Sequence, residues 1–314
     1  MTAIRVEGLR KEFHRIVALD GLSFEVASGT VFGFLGPNGA GKTTTLRILA
    51  GLARPSAGQA WVEGHPVGPE SPSRQALGYL PEEPRFYPWM TATEFLRDYI
   101  AGLFGLPASK ARQRTTELLE LVGLKDVARR RVAGFSRGMR QRLGLAQALM
   151  NEPRVLLLDE PVSALDPAGR RDMLLLIEAL RSKAAVLMST HILDDVERIC
   201  DRVGIVNHGR MVAVEERQAL LDRYATPWLE IEFRSEAAKV KAWAETLRPV
   251  AGVADVSTRE AQVRVRLEGT DGSDQQVLGL AVASGMSVES FQHARPTLED
   301  VFLRLVGTGG EVRP

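Results

Sequence analysis

Thr30-Val31-Phe32-Gly33-Phe34-Leu35-Gly36-Pro37-Asn38-Gly39-Ala40-Gly41-Lys42-Thr43 is the stretch that decides how this chain folds. An apolar run ends in glycine, and a turn follows with the spacing G-x-x-x-x-G-K-T. Lys42–Ala50 then carries apolar residues at helical spacing, and Gly51 stops it. Buried strand, Gly-rich turn and helix form the setting that a phosphate-binding loop requires. The glycines let backbone N–H groups turn toward phosphate, and the helix adds its positive end. Gly36, Pro37, Asn38, Gly39, Ala40, Gly41, Lys42, Thr43 and Thr44 are therefore candidate nucleotide contacts. Lys42 is placed to reach the β- and γ-phosphates of ATP, and the Thr43 hydroxyl to bind Mg²⁺.

Further along, Val155–Leu158 is a wholly apolar strand that runs into Asp159-Glu160. Ligands of open α/β sheets bind at the carboxyl ends of such strands. Asp159 is expected to hold Mg²⁺, directly or through water, and Glu160 to orient and deprotonate an attacking water. Ala185–Ser189 reads as another strand, and His191 just beyond it is placed to steady the γ-phosphate and that water. Asp166-Pro167 opens a turn after Glu160. It is both a good helix start and a candidate nucleotide contact. Ser136-Arg137-Gly138-Met139 is a short turn ahead of a helix. Its hydroxyl and helix N-terminus suit an anion, with a plain helix cap as the other reading. Phe13 stands alone as an aromatic, either core or a platform for adenine.

The 314 residues suit two domains. Ile4–Glu7 and Leu22–Val26 read as strands of an opening antiparallel sheet, and Trp61–Gly64 as a strand and turn. Glu94–Leu103, Lys110–Val122 and Gly138–Met150 read as helices of an inserted subdomain over about 85–150. Met173–Leu180 is a helix between the strands at 155 and 185, so the sheet is parallel with helices on its faces. The pattern changes near Tyr224-Ala225-Thr226-Pro227, which puts a first domain at 1–222 and a small α+β domain at 226–307. In the latter, strands at Trp228–Phe233, Val263–Leu267 and Ser287–Gln292 alternate with helices at Glu236–Leu247 and Gln275–Ala283. Thr297–Leu305 closes it, with Thr297 as N-cap. A tail, 308–314, is expected to be disordered.

Hydrophobic residues make up 45% and charged residues 25% of the chain, and its net charge is +1, so no global field steers it to nucleic acid. The single cysteine, Cys200, reads as a buried apolar residue of a reducing compartment. No apolar run approaches membrane-span length, and the N-terminus lacks a signal-peptide core. If the protein works at a membrane, another chain is expected to cross it.

Taken together, residues 2–220 resemble the nucleotide-binding subunit of an ATP-binding cassette (ABC) transporter. The match is carried by the phosphate loop, Phe135-Ser136-Arg137-Gly138-Met139-Arg140-Gln141, Leu157-Leu158-Asp159-Glu160, Ser163-Ala164-Leu165-Asp166 and His191. The resemblance implies a P-loop NTPase core with an antiparallel β subdomain and an inserted helical subdomain. It implies that Ser136 and Gly138 touch ATP held by a second subunit, and that Phe13 stacks on adenine. It implies ATP and Mg²⁺ as ligands, a homodimer (or a heterodimer), transmembrane permease subunits on a separate chain, no nucleic acid, and a peripheral place on the cytoplasmic face of the membrane. Two departures stand out. The family signature usually reads Leu-Ser-Gly-Gly-Gln, and here arginine and methionine replace its third and fifth residues. Glu82 stands where the family has a glutamine that touches Mg²⁺, which makes Glu82 a candidate metal contact. The variant signature and the ending Pro296-Thr297-Leu298-Glu299-Asp300-Val301-Phe302 look like the type 2 exporter branch. A soluble ABC ATPase acting on ribosomes or DNA is the alternative. It would usually carry two cassettes or long coiled coils, and this sequence has one phosphate loop and no sustained heptad run.

Overall fold

The computed structural model describes residues 1–68, 70–223, 228–268, 272–294 and 297–307. The expected change of pattern at 224–227 and the tail at 308–314 lie outside the described residues. Two compact units are present, Met1–Arg217 and the residues from Gln218 onward.

The first unit opens with two long paired strands, β1 (Thr2–Phe13) and β2 (Ile16–Ala27), followed by β3 (Val31–Leu35). Helix α1 (Lys42–Leu49) leaves the end of β3, and β4 (Ala57–Val62), β5 (His65–Pro66) and β6 (Leu77–Leu80) come next. One antiparallel sheet has the order β2-β1-β4-β5. The helical stretch that the periodicity predicts begins at α2 (Ala92–Glu94), widens into a π-type turn over Phe95–Ile100 and ends in α3 (Ala101–Leu103). Thr91 caps α2 with a capping box: its hydroxyl accepts from the Glu94 N–H while Glu94 reaches back. Helices α4 (Ala108–Leu121) and α5 (Arg137–Ala148) follow.

The second sheet holds the chemistry. Strands β7 (Val155–Asp159) and β8 (Ala185–Thr190) flank helix α6 (Pro167–Leu180) in sequence. Helix α7 (Leu193–Ile199) then leads into the hairpin β9 (Arg202–Asn207) and β10 (Arg210–Glu216). The order is β10-β9-β3-β8-β7-β6, parallel from β9 through β6 with β10 antiparallel at the edge. Every residue of β3, β7 and β8 is buried, as a parallel sheet covered on both faces demands. Phe24 of β2 stacks on Phe32 and Phe34 of β3, with ring centroids 5.6 and 5.4 Å apart, and so seats the antiparallel sheet on one face. Val196 and Cys200, at the end of α7, close on Gly33. Cys200 is buried, which pushes its thiol pKa up and leaves it as packing rather than chemistry.

The second unit contains α8 (Arg217–Arg223), most of which belongs to it, and then β11 (Trp228–Arg234), α9 (Ala237–Leu247), β12 (Val253–Arg259), β13 (Gln262–Leu267), α10 (Ser273–Ala283), β14 (Ser287–Ala294) and α11 (Leu298–Gly307). The sheet β12-β13-β11-β14 is antiparallel throughout. This is the split βαβ arrangement, in which α9 and α10 cover one face. Leu229, Ile231 and Phe233 pack there with Val263, Val265, Val240 and Val277. The expected cap of the last helix is present: the Thr297 hydroxyl donates to Asp300 at 2.8 Å, and the Asp300 N–H donates back at 3.3 Å.

Strand β6 packs against α5 so closely that a Cβ at Gly78 would collide with the Ala148 carbonyl oxygen and lie 2.9 Å from Leu156 Cδ2. Gly78→Ala is expected to cost about 2–3 kcal/mol by overpacking. Gly102→Ala, where a Cβ meets nothing within 4 Å, is expected to be neutral or stabilising by up to ~1 kcal/mol. Denaturant unfolding of the two variants checks the contrast.

Candidate functional site

At the carboxyl ends of β3, β7 and β8 the sequence places a glycine turn, two carboxylates and a histidine. Gly41 has φ 106°, and a Cβ there would lie 2.6 Å from Leu19 Cδ2, so only glycine passes this point of the loop. The turn delivers Lys42 to the start of α1 with its ammonium buried. Its Nζ donates to the carbonyls of Gly36 at 2.6 Å and Pro37 at 3.2 Å, and lies 3.6 Å from Glu160. Burial holds the Lys42 pKa below its usual value, while the Glu160 carboxylate pulls the other way.

Asp159 and Ser189 face each other across the parallel pair β7–β8. One oxygen of Asp159 collects two hydrogen bonds, from the Ser189 hydroxyl at 2.7 Å and the Thr43 hydroxyl at 3.1 Å. The other carboxylate oxygen is buried with no partner among the described residues. Burial raises the Asp159 pKa, against the lowering effect of those two hydroxyls. Glu160 sits at φ 47°, a left-handed conformation that a glutamate adopts only when held. Its N–H is held by both the carbonyl and the hydroxyl of Ser189, at 3.2 and 3.1 Å. The Glu160 side chain is thereby turned toward His191, whose Nδ1 lies 3.0 Å from both carboxylate oxygens.

These groups border a cavity of about 350 Å³ lined by Ala18, Pro37, Asn38, Gly39, Gly41, Lys42, Thr43, Thr44, Glu82, Glu160 and His191. Gly36, Ala40 and Asp159 are buried and do not line it. Oxygen donors and a partnerless buried carboxylate oxygen fit Mg²⁺, which takes one or two carboxylates plus substrate phosphates. One buried ammonium among the carboxylates of Asp159, Glu160 and Glu82 leaves a negative surplus that a divalent cation offsets. Four more candidates stand outside the cavity lining. Phe13 ends β1, 47% exposed, with the Lys11 ammonium 4.7 Å over its ring. Ser136 caps α5, its hydroxyl accepting from the Met139 N–H at 3.2 Å, and is exposed. Gly138 packs against Leu165. Asp166 caps α6 by accepting from the Gly169 N–H at 2.9 Å. The residue that sequence reasoning passed over is Ser189. Its signal was its position, the last predicted residue of a strand beside Asp159.

Residues 19–163 match the ABC transporter family, and residues 217–306 match the family described as ATP-binding protein DrrA1-3-like, C-terminal domain. An uncharacterized ABC transporter ATP-binding protein, YxlF of Bacillus subtilis (strain 168), is 39% identical over 303 residues, 96% of this chain and 99% of that protein. The chain belongs to the ABC transporter ATP-binding proteins. Nod factor export ATP-binding protein I of Ralstonia nicotianae is 36% identical, over 99% of this chain and 95% of that protein. A solved structure titled as an ATP binding subunit of an ABC transporter superposes with a TM-score of 0.65 at 32% identity, over 71% of this chain and 93% of that one. The α/β cassette with a further C-terminal domain is thus the fold that the sequence resemblance implied.

In this ABC cassette the buried Asp159 charge is a local cost in the nucleotide-free protein. Its folded pKa stands above the ordinary carboxylate value of 3.8. The cost is absent below that value and grows as pH rises through the window up to the raised pKa. Asp159→Asn keeps an oxygen for Ser189 and Thr43 and removes the charge. In EDTA and without nucleotide, this variant is expected to be more stable than wild type at pH 7, by on the order of 1 kcal/mol. The gap is expected to close as pH falls toward 4. Unfolding curves at several pH values measure it, and a gap that widens in acid contradicts this account.

Proposed function

We propose that this chain binds and hydrolyses ATP as one of two cassettes that close on each other to drive a membrane exporter. The observation that carries the reading is the position of the Ser136–Gly138 turn. At the start of α5, Ser136 and Arg137 are exposed and Gly138 half-buried, all outside the cavity that the same chain's Lys42, Glu160 and His191 line. A turn suited to an anion but outside the lining of its own phosphate-loop cavity reads as half of a site. A second cassette presenting its loop would complete it.

Within that pocket the loop N–H groups and Lys42 hold the triphosphate tail. Thr43 and Asp159 would hold Mg²⁺, with Glu82 alongside. The ion supplies neutralisation of charge on the β- and γ-phosphate oxygens. Glu160 accepts the proton of the water that attacks the γ-phosphorus, and the bond to the β-phosphate oxygen breaks as the new P–O bond forms. His191, 3.0 Å from Glu160, orients that carboxylate and reaches the γ-phosphate. Ser136 and Gly138 of the second cassette cover the same phosphate, and its loss on hydrolysis removes the bridge.

Export is the direction supported by the relative named for Nod factor export. Among the described residues no helix is long and apolar enough to cross a membrane. The proposal therefore assigns the crossing to separate permease chains, with this cassette at the cytoplasmic face. Tyr87 and Trp89 fit the docking side. Their rings lie 5.1 Å apart and Trp89 is 64% exposed, whereas Phe86 beside them is used up in an edge contact with Phe95 at 5.0 Å. The second unit is proposed to steady the dimer.

Glu160→Gln tests the reading. The variant is expected to bind MgATP with near wild-type affinity, to lose turnover by about 100-fold or more, and to run as a dimer only with ATP. Radiolabelled phosphate release and light scattering measure both. A monomer under saturating ATP, alone and with its permease, would refute the shared pocket.

A further inference from the structure

Asp195 is wholly buried in the first turn of α7, four residues after His191, and the mechanism above does not use it. Two nitrogens of Arg170, in the first turn of α6, reach the same Asp195 oxygen, Nε and Nη2 each at 2.7 Å. The other Asp195 oxygen is buried without a partner among the described residues. Arg170 in turn follows Glu160 along a short path. The Glu160 carbonyl accepts from the Ser163 N–H, Val162 accepts from Leu165, and Asp166 starts α6, with its carbonyl accepting from the Arg170 N–H at 2.8 Å. Two chain segments therefore run side by side, 160–170 and 191–195. They are joined at one end by Glu160 and His191 and at the other by Arg170 and Asp195. Thr190 supports the second segment at its start, its hydroxyl accepting from the Ile192 N–H at 3.0 Å.

We propose that the Arg170–Asp195 ion pair positions His191 against Glu160, so that both are positioning residues for hydrolysis and neither touches nucleotide. This rests on the ATPase reading. A buried carboxylate that lacks its partner costs far more than a surface one, so loss of Arg170 would shift the first turn of α7 relative to α6. His191 itself is poorly anchored. Its side chain is 46% exposed, and its Nδ1 meets the Glu160 carboxylate. Burial raises the Asp195 pKa and Arg170 opposes that rise, as expected where a buried carboxylate meets a partly exposed guanidinium. A shift of His191 by a fraction of an ångström then acts on turnover while leaving the phosphate loop, on α1 and β3, undisturbed.

The test uses full-length Asp195→Asn, Arg170→Gln and Arg170→Lys, with melting curves to show that each is folded. Binding of a fluorescent ATP analogue, turnover at saturating MgATP, and the imidazole NMR signals of ¹⁵N-histidine-labelled protein are measured. The His191 signals are assigned with His191→Gln. Folded Asp195→Asn and Arg170→Gln are expected to bind the analogue within about twofold of wild type, to turn over roughly tenfold slower or worse, and to shift the His191 signals. Arg170→Lys keeps the charge without the fork and should fall between them and wild type. The double variant should be no slower than the worse single one, because both remove one contact. Turnover near wild type with unmoved His191 signals overturns the proposal, and so does a loss of affinity equal to the loss of turnover. If Asp195→Asn does not fold, the more exposed Arg170 variants decide the matter alone. If the wild-type protein releases no phosphate from MgATP, alone or with its permease, the ATPase reading falls instead, whatever these variants do; normal hydrolysis by Glu160→Gln would remove only Glu160 from the catalytic role.

Discussion

A single carboxylate oxygen ties the site together. Asp159 Oδ1 receives the hydroxyls of Ser189 and Thr43, so one atom fastens the end of β7 to the end of β8 and to the first turn of α1. Ser189 then holds the Glu160 N–H, which keeps Glu160 in a backbone conformation that it would not adopt alone. The glycine loop, the acidic strand end and the histidine strand end are thus three parts of one hydrogen-bonded junction. The sheet order puts β8 between β3 and β7, and without that order the junction has no centre.

The junction is not arranged for maximal stability. Burial depresses the Lys42 pKa, raises that of Asp159 and leaves an Asp159 oxygen without a partner. Each of these unfavourable features would be relieved by a polyanion at Lys42 and a divalent cation at Asp159, as the proposed function has it. A strained Glu160 backbone, fixed at both Ser189 acceptors, is the same kind of feature. The surrounding apolar sheets, with Phe24 stacked on Phe32 and Phe34, supply the stability that lets the site carry these costs.

The parts of this arrangement that are local in sequence were legible there. A phosphate loop announces itself because its glycines, lysine and threonine act within eight residues, and Asp159-Glu160 because an apolar strand points at it. Long-range contacts leave no such trace. Ser189 looks like an ordinary strand residue until β8 is laid beside β7, and Asp195 like a surface acid on a short amphipathic helix until Arg170 is brought over from α6. Strand β6 is only four residues long, and β12 exposes most of its side chains, so neither shows a clear period. Phe13 shows the opposite problem. Residue type and family resemblance nominate it for adenine, and the chain places it on an exposed strand end, apart from the cavity lining.

The half-site reading also explains a detail of the Ser136 turn. A serine that caps a helix accepts a hydrogen bond from an N–H, here that of Met139, and its own O–H remains free to donate. Ser136 can therefore bind a phosphate oxygen without giving up its structural role. Gly138, two residues on, rests against Leu165, and Arg142 on the same helix lies 3.4 Å from Asp172 of α6. The Ser136 turn is in this way braced on the segment that links Glu160 to α6. Phosphate capture by Ser136 in one cassette would then press on the loop that carries the same cassette's own Glu160. Two sites formed across a dimer would be coupled through this contact, without any separate relay.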